Sequence, residues 1–351
     1  MAEHSSAILH NYLLTLFTSM VKNSEPADRN QPNQPQVVGN AGITAVDPVN
    51  LFFEQGFIWL VRLFSLLTVL TLLWMTWVIF NQALPAINKF GLGFIFSQEW
   101  DAPNDVYGAL PYIYGTIVSS IIAMIFAVPV GLAVALVTSE SFIPKSLRSP
   151  LAFVVQLISA IPSVIIGLWA IAVLIPILVP IQTWLSTTFS WIPLFNTPSP
   201  TGYNLFTAGL VLGIMVLPTM ASISRDVLLV IPKQLRSGSM ALGATQWETI
   251  FRVVLPAGIS GIISASMIAL GRAIGETMAV TLVIGNVAQI TPSLLETAYS
   301  IPSVLANEFP EAGTDLHIGA LTYLGLILFA LTLLVNIGAV SVVKLLGSKY
   351  K

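Results

Sequence analysis

Hydrophobic positions run along this chain in long blocks, without the alternation of a half-buried strand. Six blocks, about 57–80, 112–138, 150–179, 205–223, 259–285 and 317–344, are long and apolar enough to cross a membrane. A helical span needs roughly 20 such residues for the ~30 Å hydrocarbon core. The pattern predicts an all-α, polytopic membrane protein with about six transmembrane helices. Composition agrees, since 55% of the 351 residues are hydrophobic and 9% charged, with mean hydropathy +0.85. The first block starts late, is too long and lacks a small-residue cleavage site. It is expected to persist as a helix and not to be removed as a signal peptide.

The blocks set the organisation: a tail and flexible linker over 1–56, a transmembrane region over 57–345 and a short tail over 346–351. Residues 23–50 are rich in Pro, Asn, Gln and Asp and cannot bury a core. Ahead of them, Ala7 to Met20 is apolar but too short to span, and reads as an interfacial helix or as disordered tail. The 97–111 stretch, SQEWDAPNDVYGALP, is expected to be an exposed, turn-rich segment. The third block is unusually long and carries Pro162, Pro176 and Pro180. In lipid, such interruptions survive only where protein or a polar cavity satisfies the freed backbone groups.

Charge supplies orientation. Lys22, Arg29, Lys145, Arg148, Arg225, Lys233, Arg236, Arg252, Lys344, Lys349 and Lys351 fall on one set of connections and ends, against Lys89 alone on the other. By the excess of Lys and Arg on the cytoplasmic side, both termini are expected inside. Arg62 lies about one turn inside the first block and can snorkel to the surface. Arg272 has no such exit. Without cysteine the chain has no disulfide, thiolate metal site or cysteine nucleophile, and His4, His10 and His317 are too scattered for a metal cluster. With no histidine in the interior of a block (His317 is the first residue of the sixth) and no carboxylate pair, a membrane hydrolase lacks a nucleophile and base. No G-x-x-x-x-G-K-[ST] occurs, so the chain does not bind ATP by a P-loop.

The long connection 224–258 carries a second apolar pattern. Met240, Ala244, Trp247, Phe251 and Val254 recur every three or four residues, which predicts one face of a helix. Gly243 permits a bend, and Pro256 is expected to close the segment before the next span. Two readings stand: an amphipathic helix resting on lipid, or a docking helix whose apolar knobs enter a groove on a cytoplasmic partner.

Gly243, nine residues, then Val253, Leu255 and Pro256 resembles the G-x9-I-x-LP core of the "EAA" loop of bacterial ATP-binding-cassette importer permeases. The Glu-Ala-Ala positions are occupied here by Ser237, Gly238 and Ser239. A narrower resemblance runs through EWDAPNDVYGAL (99–110), YGT (114–116), AIPS (160–163), GRAIGETMAVTLVIGN (271–286) and LANEF (305–309). These blocks, in this order, are similar to phosphate permeases of the PstC type over about 57 to 345. The resemblance implies a type I importer permease fold and a coupling helix gripped by an ATPase. It also implies a homologous second permease, a cytoplasmic ABC ATPase dimer holding ATP and Mg, and an external phosphate-binding protein. Met240, Gly243, Ala244, Trp247, Phe251, Leu255 and Pro256 are the expected coupling residues. The 99–105 and 286–316 stretches are the expected contacts for the binding protein.

The ALGRAIGETMAV stretch (269–280) puts Arg272 and Glu276 in the fifth block, expected on one helix face four residues apart. Counted from residue 259, Arg272 lies some ~20 Å along the helix. A charge near mid-span costs roughly 2.5–3.5 kcal/mol on insertion scales. Either the two form a self-neutralising pair that binds helices, or Arg272 faces an anion pathway. Guanidinium offers a planar fork that matches two phosphate oxygens. Glu276 then supplies the counter-charge in the empty site, or accepts the proton that phosphate retains and sulfate lacks. Gly271 and Gly275 have the spacing that lets another helix approach, from the partner permease or from this chain. Thr277, Ser163 and Pro162 are further pathway candidates, with a plain kink or self-bonded threonine as the competing readings.

The function expected is an ATP-driven phosphate importer's membrane subunit, forming half of the pathway and without catalytic residues of its own. An importer of another oxyanion or phosphonate is the near alternative. An ion-coupled secondary anion carrier is the distant one, because no internal repeat is present.

Overall fold

The computed structural model describes residues 48–347. The short apolar stretch Ala7–Met20, most of the expected linker and the last residues of the tail lie outside the described residues. The described residues are helical, with no strand beyond two isolated bridges, Asp101 with Val106 and Gly285 with Ala298.

The helices are α1 (Pro48–Phe90), α2 (Gly93–Phe96), α3 (Leu110–Ser139), α4 (Lys145–Ser159), α5 (Ser163–Trp169), α6 (Ile175–Thr188) and α7 (Leu205–Val230). After them come α8 (Lys233–Ala241), α9 (Gln246–Thr249), α10 (Leu255–Gly275), α11 (Met278–Val283), α12 (Ile301–Glu308) and α13 (Asp315–Gly347). Among the described residues, six stretches are long and apolar enough to cross a membrane: Gln55–Phe90, Leu110–Ser139, Ser163–Thr188, Leu205–Val230, Gln246–Gly275 and Asp315–Ser341.

Two of the six differ from the sequence pattern. The third block, 150–179, is two elements. Its first part belongs to α4, the chain opens at Ala160–Pro162, and the span starts at Ser163. Pro162 lacks an N–H and biases Ile161 away from helix, so the break falls there. The fifth block moves the other way. Its helix starts at Gln246 and stops at Gly275, ten residues before the apolar run ends at Gly285. Both spans then pass a proline without ending. A π-turn at Ala170–Leu174 precedes Pro176, and another at Ile250–Val254 precedes Pro256. The widened turn accommodates the missing proline donor. Pro256 therefore does not close the segment as expected.

The chain divides into two compact units, up to Val69 and from Leu70 onward. In the first, the described part is the beginning of α1. There Ser65 and Thr68 donate back to the carbonyls of Val61 and Phe64, and the Arg62 guanidinium sits 5.5 Å over the Trp59 ring.

The second unit is built around α3 and α7, which run in the same direction. Gly209 lies against Ile122, Gly213 against Phe126, and Gly131 against Met220. Helix α10 runs opposite to α7, with Gly261 against Val227 and Ser266 beside Met220. Ala127, Ala135, Val216, Met220, Ile262, Ala265 and Ala269 form one buried cluster between these three helices. Small side chains let the backbones come close, which is how helices bind in lipid.

Two segments expected as outer loops are partly packed. Tyr107 and Ala109 are buried, and the Trp100 indole N–H donates to Glu308 Oε2 at 2.8 Å, so only about 98–104 is the exposed turn that was expected. In 286–316, Leu295, Ala298, Ile301 and Val304 are buried, and α12 lies against α3 and α13.

Candidate functional site

The end of α10 is the unusual element. Gly275 is its last residue, Glu276 is extended (φ −71°, ψ 128°), and α11 restarts at Met278. Arg272 and Glu276 therefore do not share the face of a continuous helix, and no ion pair joins them among the described residues. The two groups turn to different surroundings. Arg272 Nη1 donates to Thr219 Oγ1 on α7 at 3.0 Å, and its side chain is otherwise exposed. Glu276, half-buried, lines a tight crevice with no room for a water molecule, together with Thr116, Ser119, Ala273, Ile274 and Ser300.

Thr219 fixes the depth. It lies about 21 Å along α7 from Leu205 and about 17 Å from Val230, so Arg272 meets the middle of a span. The break in α10 lies beside Leu212 of α7 and Thr116 and Ser119 of α3, about 10 Å along those helices from their starts. Broken spans place free backbone groups where only protein or a polar cavity can satisfy them.

A second break lies close by. Gly167 of α5 packs against Ala279 and Leu282 of α11. One turn earlier on α5 stand Ser163, half-buried, and Pro162, exposed. The threonines nearby are tied to their own backbone. Thr277 Oγ1 donates to the Gly275 carbonyl at 3.4 Å and Thr281 Oγ1 to the Thr277 carbonyl at 2.8 Å. Outside their own helix, Gly271 and Gly275 have no atom of the described residues within 4 Å of an added Cβ, so no packing partner for them lies among the described residues. With Ile268 and Met278, both about half exposed, they frame Arg272 in an uncovered strip. A guanidinium at that depth is costly against lipid. The strip is therefore built to meet protein or a polar path.

Sequence reasoning missed Thr219, Thr116, Ser119 and Ser300. Nothing local marks them, because hydroxyls in apolar spans are common and their meeting depends on tertiary packing.

The 237–256 segment is also rearranged. Helix α8 ends at Ala241, with Leu242 as its C-cap and Gly243 at φ +91°. The Gly243 N–H donates to the Met240 carbonyl and the Ala244 N–H to the Ser239 carbonyl, a Schellman closure. Two residues later Thr245 and Glu248 form a capping box that starts α9. The series Met240, Ala244, Trp247, Phe251 and Val254 is thus not one helix face. Met240 belongs to α8, Ala244 to the turn, and Trp247 and Phe251 to the helix that continues into α10. The turn still gathers them. Phe142, Trp247 and Phe251 form a ring row, and Met240, Leu242, Trp247 and Phe251 are all at least half exposed. Val254 is buried, with Leu255 and Pro256 half-buried behind the platform.

Six apolar spans, a span broken beside a mid-depth charge and a short helix outside the spans are the build of a transport permease. A family model described as binding-protein-dependent transport system inner membrane component matches residues 127–351. The chain is 42% identical over 262 residues to the phosphate transport system permease protein PstC of Mesorhizobium japonicum, covering 73% of this chain and 80% of that one. It is 42% identical over 251 residues to the protein of the same name from Xylella fastidiosa (strain Temecula1), covering 70% and 77%. In fold it is similar to a chain of a bacterial alginate ABC transporter, with a TM-score of 0.51 and 19% identity over 82% of this chain and 95% of that one. The chain belongs to the binding-protein-dependent transport inner-membrane components, among the PstC-type permeases.

Proposed function

We propose that this chain is a membrane subunit of an ATP-driven phosphate importer and forms half of its pathway, around Arg272. The observation that carries this reading is the uncovered guanidinium at mid-span beside the break in α10. Thr219 engages one nitrogen and orients the fork, leaving the remaining N–H groups for two oxygens of a tetrahedral anion. The strip of Gly271 and Gly275 seats the homologous second permease, so the path runs between the two. Glu276 holds the charge balance from behind the strip, and Ser163 and Pro162 contribute hydroxyl and backbone groups close by. Thr277 acts through its backbone.

The Met240, Trp247 and Phe251 platform, with Gly243 and Ala244 in its turn and Leu255 and Pro256 behind, docks on a cytoplasmic ABC ATPase dimer. ATP and Mg bind there and not to this chain, which is a transport subunit and no enzyme. Both termini face the cytoplasm, following the Lys and Arg distribution. An external phosphate-binding protein meets the opposite side near 99–105 and 286–316.

The test is phosphate uptake in cells where Arg272→Lys or Arg272→Gln replaces the native subunit, with membrane level and complex assembly measured alongside. The expected result is uptake at background with assembly intact. Uptake at native level in either variant sinks the pathway role. Competition by sulfate, arsenate and phosphonates separates a phosphate importer from one for another oxyanion.

A further inference from the structure

We infer that Arg236 and Glu140 form the joint that makes α8 move as one body with the adjacent ends of α3 and α7. The inference rests on the reading of the α8 region as the ATPase-docking element.

The connection from α7 to α8 is two residues, Ile231 and Pro232, both extended (ψ 126° and 133°). By itself such a link lets α8 pivot, and a push on α8 is lost as bending. Arg236, in the first turn of α8, removes that freedom. Its Nε and Nη2 reach the Glu140 carboxylate at 2.8–3.3 Å, its Nη1 takes the Ile231 carbonyl at 2.7 Å, and its Nη2 also takes the Leu228 carbonyl at 2.8 Å. Leu228 and Ile231 lie at the end of α7, where helix termination leaves carbonyls without partners. Glu140 caps the end of α3, its own N–H bonded to the Leu136 carbonyl at 2.9 Å. One guanidinium thus ties three helix ends together.

The pair is well sheltered, with 18% of the Arg236 side chain and 8% of the Glu140 side chain exposed. Buried ion pairs add little net stability, because desolvation offsets the attraction, yet they fix geometry through a rigid fork. A fixed angle between α8 and two spans is what force transmission requires. Helices α3 and α7 carry Thr116, Ser119 and Thr219, the groups that face Glu276 and Arg272. Displacement of α8 is therefore delivered to the walls of the candidate pathway. Ties on the other side, Thr249 to Ser239 and Gln246 to Ser141, are single neutral hydrogen bonds at 3.0 and 2.9 Å.

The chain has no cysteine, so Ser141→Cys with Gln234→Cys gives a spin-label pair across the joint without background from this subunit, and the partners are used in cysteine-free form. The measurement uses the full complex in proteoliposomes, with partner permease, ATPase and binding protein, nucleotide-free and then ATP-trapped. With the native Arg236 and Glu140, one narrow distance common to both states is expected. In Arg236→Ala the distance should broaden and shift with ATP, and phosphate moved per ATP hydrolysed should fall about fivefold or more while hydrolysis continues. The exchange Arg236→Glu with Glu140→Arg should recover part of that ratio. A distance that changes with ATP while the native joint is present overturns the proposal, as does an unchanged ratio in assembled Arg236→Ala. If Arg236→Ala fails to assemble, the distance across the native joint decides alone. Failure of the docking reading shows separately, as absence of ATPase cross-linking to Met240→Cys in the native background.

Discussion

Glycine does opposite things in two parts of this molecule. Along α3 and α7 it is filled space. A Cβ on Gly115 would fall on the Tyr299 carbonyl, and one on Gly209 or Gly213 would strike Ile122 or Phe126. On α10 it is empty space, since Gly271 and Gly275 have nothing among the described residues beyond their own helix within 4 Å. In sequence the two sets are alike, small residues spaced for helix contact. The difference shows which contacts the chain completes by itself and which it holds open. The open set flanks Arg272, an uncovered charge at mid-span, so the missing surface and the candidate pathway coincide.

The sharpest way to break this comparison is at Gly115. There the chain carbonyl of Tyr299 lies so close that alanine must push the 299–301 segment away from α3. That motion also strains the hydrogen bond from the Ile301 N–H to Thr116 Oγ1, now 2.9 Å. Overpacking of this kind typically costs about 1–3 kcal/mol. Gly115→Ala should lower the unfolding temperature of the detergent-solubilised chain and deform the crevice at Glu276. Unchanged thermal stability would mean that the segment yields freely and that Gly115 is not a closed contact.

Much of this was readable in advance, and the limits have physical causes. The spans follow from apolar blocks, because lipid selects for length and composition residue by residue. The end of α10 does not, since ALGRAIGETMAV contains no proline and every residue in it is compatible with a helix. The break is accompanied by contacts of α11 with α5, α7 and α12, which only the folded chain brings together. The turn at Gly243 was legible in its parts, a glycine followed by Thr245 and Glu248, but the four-three spacing of Met240, Ala244, Trp247 and Phe251 masks it. Periodicity counts positions and does not see a reversal of direction. Arg272 as a site candidate was visible because a charge in an apolar run is rare. Its partner Thr219 was not, because nothing in a span distinguishes one threonine from another before packing.

The open set is tested by filling it. Gly271→Leu or Gly275→Leu introduces a side chain where this chain offers no clash, so the thermal stability of the isolated subunit should stay within about 0.5 kcal/mol of native, as for other surface changes. Co-purification with the second permease should fall sharply, because a close helix approach is blocked. Full recovery of the heteromeric complex with either variant would assign the strip to the aqueous path alone.

The smallest expected effect is on α8, which contains a third kind of glycine, open and already helical. Gly238 has nothing within 4 Å and lies between Ser237 and Ser239, where the importer permeases that this loop resembles carry Glu-Ala-Ala. Alanine fits without strain and reduces the backbone entropy lost on helix formation, a gain of about 0.5–1 kcal/mol. Gly238→Ala should therefore raise stability slightly and leave phosphate uptake unchanged, measured in the same cells as the Arg272 variants. The contrast with Gly243 makes the result specific: at φ +91° an alanine is strained whatever the space around it, so the same substitution five residues along should lower stability. Equal responses at the two positions would mean that α8 and its closing turn are not held in this conformation, and that the platform of Met240, Trp247 and Phe251 forms only against its partner.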